Sequence, residues 1–224
     1  MTPALPLFPL GTVLFPGLVL PLHVFEERYR ALVRDLLAVP DGTPREFGVV
    51  AISSGWEVEG GTGAVTFHDI GCTAELRQVT EHPDGRFDLV TVGRRRFAID
   101  EVARADGPYL RARVSYLAEP DDDAAAEALV PRVLAVFRTY LALVRTDAAE
   151  LAEQLPEDPT VLSHLIAATA SLTLTERQAL LAAPETAARL RAELAILQRE
   201  VILLRQVRAV PLPVSELPVT PGPN

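Results

Sequence analysis

The sequence predicts an α+β protein in which a β domain with one inserted helix (residues 1–118) precedes a small helical bundle (residues 119–209). Two observations support this prediction. Residues 1–118 consist mainly of short apolar or alternating segments separated by Gly and Pro, which is typical of a closed or half-closed β barrel. From residue 119 onward, alanine and leucine dominate at helical spacing. The prolines of residues 210–224 then predict a disordered tail.

The first 25 residues carry no charged side chain, so the segment could be mistaken for a signal peptide or a membrane span. Prolines at positions 3, 6, 9, 16 and 21 exclude a long helix, because proline removes a backbone donor and clashes with the preceding turn. A signal peptide would require basic residues before the apolar stretch, and this chain has none there. The segment therefore predicts short strands over 5–10, 12–15 and 18–20, and we expect a cytoplasmic protein without a membrane anchor.

The remainder of the β domain reads as one helix and several strands. Helical spacing of apolar residues predicts a helix over 25–37, and a β-branched run predicts a buried strand over 47–52. Residues 53–63 hold four glycines and the lone Trp56, which predicts a loop. A turn is predicted at 82–86, where Pro83 and Gly85 have the backbone preferences of a hairpin. Further strands are expected over 64–79, 87–92, 97–99 and 109–117, with residues 93–96 as a turn between two of them.

The helical bundle begins with a helix around residues 130–144, with Pro131 in its first turn. Asp158 and Pro159 predict the start of the next helix, and Thr175 predicts a capping box for a short third one. The last helix is expected over 184–208. Its apolar seam indicates either packing against the other helices or a coiled coil that forms a homodimer; the seam residues are Leu190, Leu194, Leu197, Val201 and Leu204.

All 21 basic residues are arginine, so the chain has no lysine, and 30 acidic residues give a net charge of −9. The absence of lysine excludes a phosphate-loop lysine, a Schiff-base lysine and a Ser-Lys dyad. The acidic balance argues against a nucleic-acid partner, which needs a basic face. The four histidines lie far apart without ligand-like spacing, and we therefore expect no metal site and no cofactor.

Few side chains offer chemistry of their own. Cys72 lies in an alternating apolar run and reads either as a small core residue or as a nucleophile activated by a nearby histidine. His68 and Asp69 are a candidate base and its orienter, although neighbouring residues of a strand point to opposite faces. Arg94, Arg95 and Arg96 form the densest positive cluster. They indicate either a solvated turn or a site for an acidic peptide or a phosphate.

The sequence LPLFPLGTVLFPG at residues 5–17, followed by LPLHVFEERY at 20–29, resembles the start of the Lon protease substrate-binding (amino-terminal) domain family. The later motifs IGCTAEL at 70–76, DGR at 84–86, GRRRF at 93–97 and DPTVL at 158–162 keep the family's order and spacing. The resemblance implies a PUA-like β pseudo-barrel followed by a small helical bundle. It also implies recognition of unfolded or degron-bearing proteins. Because the chain ends where the family's ATPase would begin and lacks lysine, we expect a stand-alone bacterial member without ATPase or peptidase.

The sequence is compatible with three functions. The first is a non-catalytic module that binds proteins or peptides through a groove on the β domain or between the two halves. The second is a small hydrolase or transferase that uses Cys72 or His68, and the third, disfavoured by charge, is a PUA-like RNA-binding protein. The candidate peptide contacts are aromatic, imidazole and guanidinium side chains, the types that anchor interfaces; they are Trp56, Phe67, His68, Arg94, Arg95 and Arg96.

Overall fold

The computed structural model describes residues 4–40, 42–54, 66–103, 107–119 and 123–209. The first part of the chain contains β1 (Leu5–Leu10), β2 (Val19–Val24), α1 (Glu27–Leu37), β3 (Glu46–Ser54), β4 (Thr66–Phe67), β5 (Ile70–Glu81), β6 (Phe87–Ala103) and β7 (Arg111–Tyr116). The second contains α2 (Ala124–Glu127), α3 (Val130–Val144), α4 (Ala148–Glu153), α5 (Pro159–Thr169), α6 (Leu174–Leu181) and α7 (Thr186–Ala209). We call these the β part and the helical part.

Five strands of the β part close into a ring. Their order is β1-β7-β6-β5-β3, and β3 returns to β1 through a parallel pairing that aligns Leu7 with Gly48. The other pairings of the ring are antiparallel. β2 joins the outside of this ring by pairing with β6, and β4 joins it by pairing with β3. The closure leaves few strand edges open, as expected for a barrel.

Phe97 of β6 organises the smaller core of the ring, which also contains Leu5, Leu7, Val50 and Ala112. A Cβ at Gly48 would come within 2.7 Å of the Phe97 ring, and one at Gly71 within 2.6 Å. Both glycines are therefore required by the volume of the aromatic ring, because such distances are shorter than any ordinary van der Waals contact.

The larger core covers the opposite face of the strands. Along β3, Phe47, Val49 and Ala51 alternate with Val50, and they pack with the buried stripe of α1. Ala167 of α5 and Leu180 and Leu181 of α6 join the same core. The helical part thus contributes directly to the packing of the β part.

The helical part has a second core, in which α3 and α5 pack against α7. The seam residues Leu190, Leu194, Leu197 and Val201 are buried there, so the chain's own helices fill the predicted seam. Ile202 and Leu203 lie on the exposed side of α7. A homodimer through this helix would have to use that side. Within the described ranges, no helix has the length and apolarity needed to span a membrane.

Several predicted elements are confirmed, including β1, α1, the turn at 82–86 with Gly85 at φ +78°, and Asp158 as the cap of α5. Three predictions are wrong. Residues 12–15 form no strand, and residues 93–96 lie in the middle of the 17-residue β6 rather than in a turn. The capping box of α6 uses Thr173 with Glu176, because the sequence TLTERQ contains two overlapping capping patterns. Trp56 and the tail at 210–224 lie outside the described residues.

Candidate functional site

An apolar groove lies where the end of β1, the end of β2 and the start of α1 meet. It has a cavity volume of about 230 Å³. Its walls are aromatic and aliphatic side chains, chiefly Phe8, Leu10, Leu22, Val24, Phe25 and Tyr29. All of these residues belong to the uncharged start of the chain or to the helix that follows it. We call this site the apolar groove.

The aromatic residues of the apolar groove have two different roles. The rings of Phe8 and Tyr29 are stacked with centroids 4.0 Å apart and are buried, so they form a rigid floor. Phe25, which lies between β2 and α1, is 62% exposed. A large apolar side chain held in water beside an apolar groove is the type of anchor that buries itself on binding a partner.

The outer edge of β2 limits how a partner can bind. Within the described part of the chain, β2 pairs with β6 only. The carbonyls of Leu18 and Leu20 accept hydrogen bonds from the β6 side, so the alternation of the strand turns Pro21 outward. Proline has no N–H to donate to an added strand, and it therefore weakens this edge as a template for strand addition.

A cluster of two histidines and one aspartate lies at the end of the apolar groove. The Nδ1 atom of His23 is 2.6 Å from Oδ1 of Asp88, and the Nε2 atom of His82 is 2.7 Å from Oδ2. These hydrogen bonds, that of His23 first, lower the pKa of the Asp88 carboxyl. The expectation that the histidines lie apart is wrong for this pair, because the pairing of β2 with β6 aligns His23 with Asp88.

A second groove, of about 340 Å³, lies between α1, the start of β1 and β7. Arg95 lies over the ring of Tyr116 at 3.8 Å, and Arg111 donates to the hydroxyl of Tyr109 at 2.6 Å. The Tyr109 hydroxyl donates in turn to Asp35 at 2.5 Å. Burial, followed by this hydrogen bond to Asp35, raises the pKa of Tyr109. The groove presents stacked guanidinium and phenol groups, and we call it the Arg–Tyr groove.

The residues that the sequence singled out do not converge on one place. Phe67 packs against the smaller core, and the backbone N–H of His68 donates to Ala51 of β3. Arg94 forms an ion pair with Glu75 at 2.9 Å on the surface. Of the five candidates that lie within the described residues, Arg95 alone lines one of the two grooves described above.

Arg96 is not a surface residue, and the structure removes it from the exposed cluster that the sequence predicted. It is 1% exposed and lies between the two parts of the chain. Its Nη1 atom donates to the carbonyls of Leu181 at 2.7 Å and Ala183 at 2.6 Å, while its Nε atom donates to Glu119. Arg96 therefore fixes the end of α6 to β6.

Glu119 also receives a second buried arginine. The Nη2 atom of Arg189, on α7, lies 3.3 Å from Glu119, and its Nε atom donates to Ser163 at 2.8 Å. His164 is buried beside this cluster. Burial, followed by the charges of Arg189 and Arg96, lowers the pKa of His164 to about 2. His164 is therefore neutral at neutral pH, and the cluster holds the β part and the helical part together.

Cys72 is fully buried in the larger core. Its thiol contacts the backbone carbonyl of Thr73 at 3.5 Å, and burial raises its pKa to about 12. A nucleophile must be a thiolate that a substrate can reach, and Cys72 meets neither condition. The core interpretation of this residue is the one that the structure supports.

The comparisons with known proteins agree on one family. Residues 4–199 match the family model of the ATP-dependent protease La (LON) substrate-binding domain. The Lon protease of Anaeromyxobacter dehalogenans is 31% identical over 90% of this chain, and Lon protease 2 of Herpetosiphon aurantiacus is 33% identical over 89%. The chain spans 24% of the length of each of these relatives.

Solved structures show the same fold. The N-terminal domain of a Lon protease from the Mycobacterium avium complex matches with a TM-score of 0.66 at 21% identity, covering 89% of this chain and 98% of that domain. A Lon N-terminal domain protein from Xanthomonas campestris matches with a TM-score of 0.59 at 26% identity, covering 86% of this chain and 98% of that protein. On the matched family model, this chain belongs to the Lon substrate-binding domain family.

Proposed function

We propose that this chain recognises polypeptide segments exposed by unfolded or degron-bearing proteins, and that the apolar groove with Phe25 at its rim is the contact surface. Family membership supports binding of protein substrates in general. The assignment to this groove rests on Phe25, which is exposed beside a cavity lined by Phe8, Leu22 and Tyr29. Apolar segments that are buried in folded proteins and exposed in unfolded ones fit such a surface.

We further propose that the client binds through its side chains rather than by adding a strand. Pro21 faces outward from β2, the edge strand beside the groove, and offers no donor there. The net charge of −9 and the ion pairs of Arg94 with Glu75 and Arg95 with Glu46 argue against RNA as the partner. We also propose that the β part is a PUA-like pseudo-barrel and the helical part a small bundle, with the boundary near residue 118. A cytoplasmic location is part of the same proposal.

Binding is measured by fluorescence anisotropy with a labelled, permanently unfolded protein such as reduced, carboxymethylated α-lactalbumin. Phe25→Ala is expected to weaken binding by at least about tenfold, the loss typical of an exposed aromatic anchor. Val161→Ala is the matched control. Val161 is 54% exposed, and its helix α5 is far along the sequence from the residues of the groove. Equal affinities for Phe25→Ala and the unchanged chain would remove the groove assignment.

We propose that the chain binds without cleaving. It contains no lysine, and its cysteine is buried with a raised pKa. Incubation with casein is expected to give no fragments. Fragments that disappear when His68 is replaced by Ala would instead support the hydrolase alternative.

A further inference from the structure

Two histidines and an aspartate from separate segments of the chain meet on the surface of the β part. His23 lies in β2, Asp88 in β6, and His82 follows directly after β5. Both imidazole rings direct a nitrogen at the same carboxylate, at 2.6 and 2.7 Å. The three possible ligand atoms all lie within 4.8 Å of one another.

We propose that His23, His82 and Asp88 bind one Zn²⁺ ion. Two imidazole nitrogens and a carboxylate oxygen are a donor set that zinc accepts, with a fourth position left for water or another ligand. Metal–ligand bonds of about 2.0–2.1 Å in tetrahedral geometry separate two donor atoms by about 3.3 Å. Each imidazole nitrogen would therefore move less than about 1 Å away from the carboxylate oxygen that it now contacts, while the ligand atoms, now within 4.8 Å of one another, converge on the ion.

The charge of Asp88 is available for a cation. An aspartate in water is ionised at neutral pH, and the Asp88 side chain is 51% exposed. Within the described residues, no arginine forms an ion pair with Asp88, while the nearby Arg86 pairs with Asp84 at 2.7 Å. Histidine can change from a hydrogen-bond donor to a neutral ligand, which arginine cannot do.

The backbone holds the three residues in place. His23 and Asp88 are register partners, as are Asp88 and Thr80 on the other side. The turn that carries His82 is closed by hydrogen bonds from His82 N–H to the Arg86 carbonyl and from Gly85 N–H to the His82 carbonyl, each 2.8 Å. The side chains of His23, His82 and Asp88 are 47%, 35% and 51% exposed. They can therefore adjust to an ion at little cost while their backbone stays fixed.

The surroundings leave room for the fourth ligand. Asp88 and His23 border a hollow of about 420 Å³ that Gln78 and Thr80 also line. His23 borders the apolar groove as well. An ion bound here would place a positive charge at the end of the apolar groove. The site itself does not depend on the proposed function.

The test is titration of the full chain, without a histidine tag, with Zn²⁺ by calorimetry and with Co²⁺ by visible absorption at about pH 7.5. We expect one ion per chain and the absorption pattern of a tetrahedral Co²⁺ complex. His23→Ala, His82→Ala and the isosteric Asp88→Asn should each weaken binding at least about tenfold, since even indirect partners of a metal ligand contribute that much. His68→Ala is the matched control and should bind as the unchanged chain does. Affinity should also fall as the pH is lowered, because protons compete for imidazole.

Two results would overturn the site. One is the absence of saturable binding in the unchanged chain. The other is binding in His23→Ala, His82→Ala and Asp88→Asn that is as tight as in the unchanged chain, which would show an adventitious ion only. Far-UV circular dichroism and the unfolding midpoint, measured without metal, confirm that each variant is folded before its affinity is interpreted.

Discussion

Asp88 and Glu119 each interact with two basic side chains, but Asp88 lies at the surface and Glu119 at a junction with buried partners. Asp88 is 51% exposed and is hydrogen bonded to two histidines at the edge of the apolar groove. Glu119 is 26% exposed and pairs with Arg96 and Arg189, whose side chains are 1% and 0% exposed. The first cluster faces solvent, and the second lies where the β part meets the helical part.

Burial and the kind of base decide what each carboxylate does. A buried guanidinium cannot lose its proton, so the positive charges of Arg96 and Arg189 must stay paired with Glu119. An imidazole can also act as a neutral ligand, so the histidines around Asp88 can change partner. We therefore expect the Glu119 cluster to determine stability and the Asp88 cluster to determine binding.

The largest expected effect comes from Arg96→Met. The substitution keeps most of the apolar stem but leaves the carbonyls of Leu181 and Ala183 without this donor, and Glu119 keeps only one of its two arginines. Breaking a buried charge pair typically costs about 3–5 kcal/mol. Urea unfolding followed by circular dichroism measures the loss.

Arg94→Met is the matched control, two residues away on the same strand. Arg94 is 48% exposed and pairs with Glu75 in water, so its loss should cost no more than about 1 kcal/mol. Similar losses for Arg94→Met and Arg96→Met would contradict the distinction between the surface and the junction.

His164 should make stability depend on pH. Its native pKa is lowered to about 2, mainly by burial and then by Arg189 and Arg96, whereas an unfolded histidine has a pKa of about 6.5. Below that value the unfolded chain binds a proton that the native chain rejects, so stability falls as the pH falls. The contribution is about 1.4 kcal/mol per pH unit. Between about pH 6 and 4.5, His164→Gln should lose less stability per pH unit than the unchanged chain.

A second buried group opposes this trend. Burial raises the pKa of Glu193, so the native chain holds a proton there that the unfolded chain releases as the pH rises. Because Glu193 is present in both proteins, its contribution cancels when the two slopes are subtracted. Parallel slopes for His164→Gln and the unchanged chain would mean that the pKa of His164 in the folded chain is close to its unfolded value.

Much of the fold could be predicted because its signals are local. The prolines and apolar alternation of residues 5–10 indicate β1, and Asp158 followed by Pro159 indicates the start of α5. The overlap of two capping patterns misplaced the cap of α6, since residue types alone do not tell which threonine has the extended backbone. Gly93 predicted a turn, although the chain continues as a strand through it.

The candidate site could be predicted only in part. The uncharged start that lines the apolar groove is recognisable in the sequence as a family motif, but not as a surface. The Asp88 cluster depends on strand register over 65 residues, which no local pattern encodes. Arg96 looked like its neighbours Arg94 and Arg95, and only the approach of α6 distinguishes it.

The smallest effect is expected for Asp88→Asn on stability in the absence of metal. The hydrogen bonds with His23 and His82 lower the pKa of Asp88, so their contribution is present above the unfolded pKa of about 3.8 and is lost as the pH falls through the lower native value. Because the three side chains are solvated, water and salt screen the interaction. Thermal unfolding at about pH 7.5 should show a midpoint close to that of the unchanged chain, and the remaining difference should disappear in 1 M salt or in acid. A loss as large as that of Arg96→Met would mean that Asp88 is a structural link like Glu119, and the contrast between the two carboxylates would fail.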